Sequence, residues 1–248
     1  MIFFVFTLGL IVGSFLNVVI YRYNTGRTMV RGRSRCLACG GALTWYELLP
    51  LVSWFVQRGR CRRCRSHVSW QYPLVELLTG ALFALVWSLG LSIPLTTLYL
   101  IIVSLLVVIT VYDLRHKIIP DGFVYGFDLL ALVALVWRGQ DLPLDLTAGA
   151  TLFFFFWLLW FVSRGRWIGF GDAKLALGVG WLLGWRGGLS ALMLAFWIGA
   201  LVGVGLIVAA KLRPGGRAVT MKSEIPFAPF IILGLVLSLF FQLNVVFW

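Results

Sequence analysis

Acidic residues are scarce in this sequence: 9 Asp and Glu stand against 21 Lys and Arg in 248 residues, with only 2 His. A soluble domain of this length covers itself with charge. Here 12% of residues are charged and 61% are hydrophobic, with a mean hydropathy of +0.97. That is more apolar surface than a soluble fold could bury, so the bilayer is the expected solvent. The start, Met1 to Phe6, has no basic stretch ahead of its apolar run, and no small-residue cleavage site follows Ile20. This argues for a retained membrane helix rather than a removed signal. A glycine-rich strand-to-helix motif is missing, which speaks against a Rossmann-type cofactor site. No internal repeat suggests the inverted halves of a transporter.

The net charge of +12 does not point to nucleic acid, because in a membrane chain the meaning lies in where the basic residues fall. Ten arginines lie between Arg22 and Arg65, in one polar insert between the first two apolar runs. That insert is expected in the cytoplasm. The apolar runs are 2–20, 74–91, 95–112, 122–137, 147–162, 171–185, 189–210 and 227–247. Several are shorter than the roughly 20 residues that cross a hydrocarbon core. Alternating them puts Arg115, Lys117, Arg164, Arg166, Lys211, Arg213, Arg217 and Lys222 on the same side as the insert, leaving Arg138 and Arg186 outside. Because this bias was not used to count the runs, it supports eight spans. The expectation is an all-α integral membrane protein of about eight transmembrane helices with a small cytoplasmic zinc-binding insert. Its divisions are a first helix (1–21), the insert (22–73) and a seven-helix membrane domain (74–248). The stretch from Arg138 to Asp145 reads as a short external loop.

All 4 cysteines fall in the insert, as Cys36-Leu-Ala-Cys39 and Cys61-Arg-Arg-Cys64. Two such pairs at this separation are a zinc signature, since neighbouring thiolates chelate from one turn and the second pair completes a tetrahedron. Disulfides are disfavoured in a reducing compartment, and the metal would supply folding energy to an insert too small for its own core. His67 beside the second pair reads as a surface residue. Trp45, Tyr46 and Trp54 read as interfacial aromatics or as the lining of a site.

Two aspartates stand at the edges of apolar runs, where a carboxylate is costly and asks for a function. Asp113 ends the third run and Asp172 begins the sixth, so the alternation puts both on the cytoplasmic face. Facing one another, they would share a proton near neutral pH. One would then accept a proton from water attacking a peptide carbonyl while its protonated partner binds the carbonyl oxygen. Gly169 and Gly171 allow close backbone approach just before Asp172. The alternative is structural: a helix start, or a pairing with Arg115 or Lys174. The residues alone leave both open. Asp121, after Pro120, reads as an N-cap, and Asp128 as a buried polar contact or relay member. Other functional classes that fit are a zinc-bearing membrane scaffold and a proton-coupled transporter.

Several segments in one order resemble the type IV prepilin peptidases, or leader peptidase/N-methyltransferases. They are Gly13 to Arg22, the two cysteine pairs around Glu47 to Trp54, Tyr72 to Gly80, Asp113 with Ile119-Pro120-Asp121, Gly169 to Leu175, and Ile225 to Phe230. Ala228 departs from the pattern, where the family often has glycine. The resemblance implies catalytic roles for Asp113 and Asp172, with Gly169, Gly171 and Lys174 as the supporting motif and Asp121 outside the chemistry. It implies removal of a basic leader from prepilins or pseudopilins after a glycine, then methylation of the new amine with S-adenosylmethionine. Glu47 and Glu76 are the candidates for binding that cofactor. Membrane lipids are the other expected partner, through the basic insert, in the inner membrane of a bacterium.

Overall fold

The computed structural model describes residues 1–26, 28–29, 32–139, 142–212, 225–243 and 245. Arg27, Arg31, Arg213, Arg217 and Lys222, used above for the charge bias, lie outside the described residues. The described residues are mostly helical, with loops across most of the insert and only two isolated β-bridges among them, and the chain divides into two compact units, Met1–Val108 and Ile109–Trp248.

In the first unit, α1 (Ile2–Arg22) packs against α3 (Gln71–Ser88), and between them lie a 3-10 turn (Trp45–Leu48) and the short α2 (Val52–Val56). Two glycines on one face of α1 make the α1–α3 contact close. A Cβ on Gly9 would lie 2.7 Å from Gly80 Cα, and one on Gly13 would lie 2.8 Å from Glu76 Cα. Small residues let two helix backbones approach where lipid offers no hydrophobic drive to pack. One turn further along, fully buried Asn17 donates to the Tyr72 carbonyl at 3.3 Å and accepts from Gln71 Nε2 at 3.2 Å. Tyr21 then stacks on Tyr72 with ring centroids 5.4 Å apart. As the partner number rises on one helix it falls on the other, so the pair is antiparallel. Pro73 sits in the first turn of α3, where its missing N–H costs nothing.

Helix α4 (Ile93–His116) runs from the first unit into the second, which holds α5 (Asp121–Arg138), α6 (Leu142–Ser163), α7 (Phe170–Leu212) and α8 (Ala228–Phe241). The hub is α7, which packs on α5, α6 and α8. Glycine again sets the distances: Gly180 meets Gly149 of α6, and Gly234 of α8 meets the Ala191 carbonyl so closely that a Cβ would overlap it. Within α7, Gly184 has φ 67° and ψ −169°, a left-handed conformation that breaks the element into helices 170–183 and 185–212. Arg138 Nη2 donates to the Trp181 carbonyl at 3.0 Å, and Trp185 Nε1 to the Leu144 carbonyl at 3.0 Å. The first bond satisfies a carbonyl freed at the break, and the second ties the Trp185 side chain to α6.

The all-α expectation holds. Four helices, α1, α4, α6 and α7, are long and apolar enough to cross a membrane. The expected sixth and seventh spans are the two halves of α7 on either side of Gly184. Helices α3, α5 and α8 correspond in position to the remaining runs; α3 and α5, with 18 residues each, fall short in composition, and α8, with 14, in length.

Gly180→Leu is expected to destabilise the protein by on the order of 1–3 kcal/mol, the usual cost of overpacking, read as a lowered unfolding midpoint in detergent. Gly205, with nothing within 4 Å of an added Cβ, should accept leucine without loss.

Candidate active site and metal centre

Asp113 and Asp172 both belong to the second unit and are buried, with 4% and 5% of their surface exposed. Asp172 is the third residue of α7. The Gly169 N–H, just ahead of the helix, donates to Asp172 Oδ2 at 3.1 Å, and the Asp172 N–H donates back to the Gly169 carbonyl at 3.2 Å. This is the carboxylate half of a capping box, and it places a negative charge where the helix end favours one. Asp113 lies in the last turn of α4, whose closing bond runs from the Lys117 N–H to the Asp113 carbonyl at 2.7 Å. The backbone N–H of Ala228, at the start of α8, lies against the Asp113 carboxylate. The two carboxylates are within electrostatic reach of one another. Each keeps one oxygen, Asp113 Oδ2 and Asp172 Oδ1, with no hydrogen-bond partner among the described residues. Buried polar atoms are rarely left so.

The remaining motif residues have definite places. Gly171 packs beneath Ile119, where an added Cβ would lie 2.8 Å from Ile119 Cβ. Glycine is therefore needed there for contact within the chain. Lys174 Nζ donates to Asp121 Oδ1 at 2.7 Å and lies 5.0 Å from the ring centroids of Tyr125 and Phe170. The expectation that Asp121 caps α5 is corrected: Pro120 is the N-cap, no side chain caps the helix, and the Asp121 carboxylate goes to Lys174 instead. The pairing of Asp172 with Lys174, left open above, is not what the structure has. Asp128 is 7% exposed and faces Gly178 of α7, with Oδ1 unpartnered among the described residues.

In the first unit the four cysteines come together, with their sulfurs all within 4.8 Å of one another. Two matching loops bring them there. The Cys36 N–H donates to the Gly41 carbonyl and the Gly40 N–H to the Cys36 carbonyl, both at 2.9 Å. In the second loop the Cys61 N–H donates to Ser66 and the Arg65 N–H to Cys61, again both at 2.9 Å. A bridge closes each loop, Arg35 with Ala42 and Arg60 with His67. Gly40 and Arg65 take the left-handed turn position, with φ 69° and 56°. The cysteines are free, and Cys36 and Cys64 have their sulfurs 3.9 Å apart, near the spacing of about 3.8 Å that follows from tetrahedral metal–sulfur bonds of ~2.3 Å.

The electrostatics fit a cation. The Cys39 N–H lowers the Cys36 thiol to about 6, and the Ser66 hydroxyl leads the groups that lower Cys64. Cys39 is pushed up to about 11, because the pull of the Gly41 N–H is outweighed by the neighbouring sulfurs of Cys36 and Cys64. Sulfurs this close cannot all ionise without a positive charge between them. Ser66, not singled out from sequence, touches Cys64 Sγ at 3.1 Å and Cys36 Sγ at 3.7 Å, linking the two loops. Matching the two cysteine pairs position by position, which aligns Ser66 with Gly41, was the signal that could have found it. His67 is exposed and outside the cluster.

Glu47 closes a capping box on the 3-10 turn, accepting from the Thr44 N–H at 2.8 Å and its hydroxyl at 2.7 Å, which hold its carboxyl below the ordinary range. Glu76, buried in α3, accepts from the Leu51 N–H at 2.8 Å. Both carboxylates are tied to their own chain, a geometry that does not mark a cofactor site. Trp54 packs on Trp70 at 4.1 Å and donates to the Val68 carbonyl at 3.3 Å, so it is part of the insert's own packing.

An apolar, largely helical chain with a pair of buried carboxylates and a cluster of four cysteines defines a membrane-associated class of protein. Residues 7–89 match the model of the bacterial Peptidase A24 N-terminal domain, and residues 100–204 match that of the type IV leader peptidase family. A prepilin leader peptidase/N-methyltransferase of Myxococcus xanthus (strain DK1622) is 42% identical over 228 residues, covering 89% of this chain and 67% of the relative. A protein of the same description from Bacillus subtilis (strain 168) is 31% identical, covering 94% and 91%. One from Escherichia coli O78:H11, described as a type 4 prepilin-like proteins leader peptide-processing enzyme, is 31% identical, covering 94% and 91%. The chain belongs to the type IV leader peptidase family. No solved structure matches it.

Cys64→Ser is expected to abolish tetrahedral metal binding by the insert. Titration of purified protein with cobalt(II), followed by its thiolate absorption bands, should give one site per chain in the wild type and none in the variant.

Proposed function

We propose that this protein is a membrane aspartyl endopeptidase that removes the basic leader of type IV prepilins or pseudopilins, cutting after glycine at the cytoplasmic boundary. The observation that carries the reading is the pair Asp113 and Asp172: two buried carboxylates within reach of one another, each with an unpartnered oxygen. The names of the relatives support the substrate class.

In this reading one proton is shared by the pair. The ionised member takes a proton from a water molecule as its oxygen bonds to the scissile carbonyl carbon. The protonated member hydrogen-bonds the carbonyl oxygen as charge develops there. Collapse of the tetrahedral adduct breaks the C–N bond, and the leaving amine takes a proton from the dyad. The Gly169 N–H holds Asp172 Oδ2, and the unpartnered Oδ1 would be the atom that takes part. A substrate anchored by its own apolar helix would present its leader at a membrane boundary, where the ends of α4 and α7 carry the two aspartates.

Zinc is the proposed metal of Cys36, Cys39, Cys61 and Cys64, in a structural role, since four thiolates leave no position for water. The chain is proposed to span the bacterial inner membrane eight times, α7 counting as two spans, with the dyad and the insert at the cytoplasmic face. The basic insert is proposed to lie against anionic lipid. Methylation of the new N-terminus with S-adenosylmethionine is part of the proposal, on the names of the relatives.

Co-expression with a type IV prepilin, followed by mass spectrometry of the pilin N-terminus, tests both activities. Wild-type protein is expected to give the cleaved and methylated N-terminus. Asp113→Asn and Asp172→Asn should each lower cleavage by at least about 10²–10⁴-fold, the range of a lost acid–base group. Normal processing by either variant contradicts the dyad.

A further inference from the structure

The link that follows the Asp113 helix is short. Helix α4 ends at His116, Lys117 turns the chain with φ 55°, and α5 begins at Asp121. Two side chains leave this link and meet the first turn of α7. Ile119 packs on Gly171, and Asp121 accepts the 2.7 Å hydrogen bond of Lys174. Gly171 and Lys174 flank Asp172 in sequence. The turn that carries Asp172 is therefore gripped on both sides by the link that leaves Asp113.

The geometry of Lys174 suits a fixed anchor better than a surface ion pair. Its side chain is 12% exposed, and its ammonium lies 5.0 Å from the ring centroids of both Tyr125 and Phe170, one from each of the two helices being joined. Asp121 is 63% exposed and caps nothing. An ion pair with one partner so exposed contributes little to stability, so stability does not account for it.

We propose that Asp121 and Lys174 are positioning residues. Their ion pair, together with the Ile119–Gly171 contact, holds the first turn of α7 against the Asp113–Asp121 link and so sets the separation of the Asp113 and Asp172 carboxylates. This rests on the dyad reading given under Proposed function. A displacement of about 1 Å at reacting groups can cost ~10²-fold in rate, so a partial loosening should cost about tenfold.

The test uses the full chain in lipid nanodiscs with a full-length type IV prepilin as the probe. Asp121→Asn and Lys174→Gln should each lower kcat about tenfold, with KM and the thermal midpoint close to those of the wild type. Asp121→Glu, which keeps a carboxylate within reach, should retain most of kcat. Unchanged kcat in Asp121→Asn, a loss carried by KM, or equal losses in Asp121→Asn and Asp121→Glu would overturn the inference. Should a charge variant fail to fold, Ile119→Ala decides: the same kcat-only loss supports the clamp, and wild-type kcat overturns it. An inactive wild type would instead overturn the proposed function, so the two failures are told apart.

Discussion

A carboxylate without a partner inside packed apolar helices is expensive, and Asp172 offsets that cost only in part. One oxygen takes the Gly169 N–H, the other has no partner among the described residues, and a second carboxylate, Asp113, lies within electrostatic reach. Buried polar atoms are rarely left without a partner, so two half-satisfied carboxylates near one another depend on the fold to hold them there. The helix start of α7 and the last turn of α4 provide that hold. Both are element ends, where backbone N–H and C=O groups are free to meet side chains.

Glycine is the means by which this chain brings helices close enough to enforce such geometry. Gly9 and Gly13 bring α1 onto α3, while Gly180 and Gly234 bring α7 onto α6 and α8. Gly184 does something different, breaking α7 through a left-handed residue whose neighbouring carbonyl is taken by Arg138. The two cysteine loops are organised differently, by paired backbone hydrogen bonds and four clustered sulfurs.

The sequence was legible wherever the signal was local. Apolar runs place the helices, and the Cys-x-x-Cys spacing predicts the cluster of four cysteines. What stayed hidden depends on partners distant in the chain. Asp121 follows a proline and looks like a cap, but its partner Lys174 lies 53 residues on. Gly171 reads as room for a substrate, yet Ile119 fills that space. The sixth and seventh apolar runs read as separate spans, but nothing local announces that helices 170–183 and 185–212 join at Gly184 without a loop. Glu47 and Glu76 are cofactor candidates on the resemblance alone, and each accepts a backbone N–H from a distant or turn residue that the sequence does not reveal.

The central claim is that two carboxylates sharing one proton activate water directly. The pH dependence of kcat/KM for prepilin cleavage tests it most directly. A dyad works with one proton between its members, so the account predicts a bell-shaped profile that falls when both are protonated and again when both are ionised. A rate that rises steadily through neutral into alkaline pH, as for a serine or cysteine nucleophile activated by a base, would contradict it.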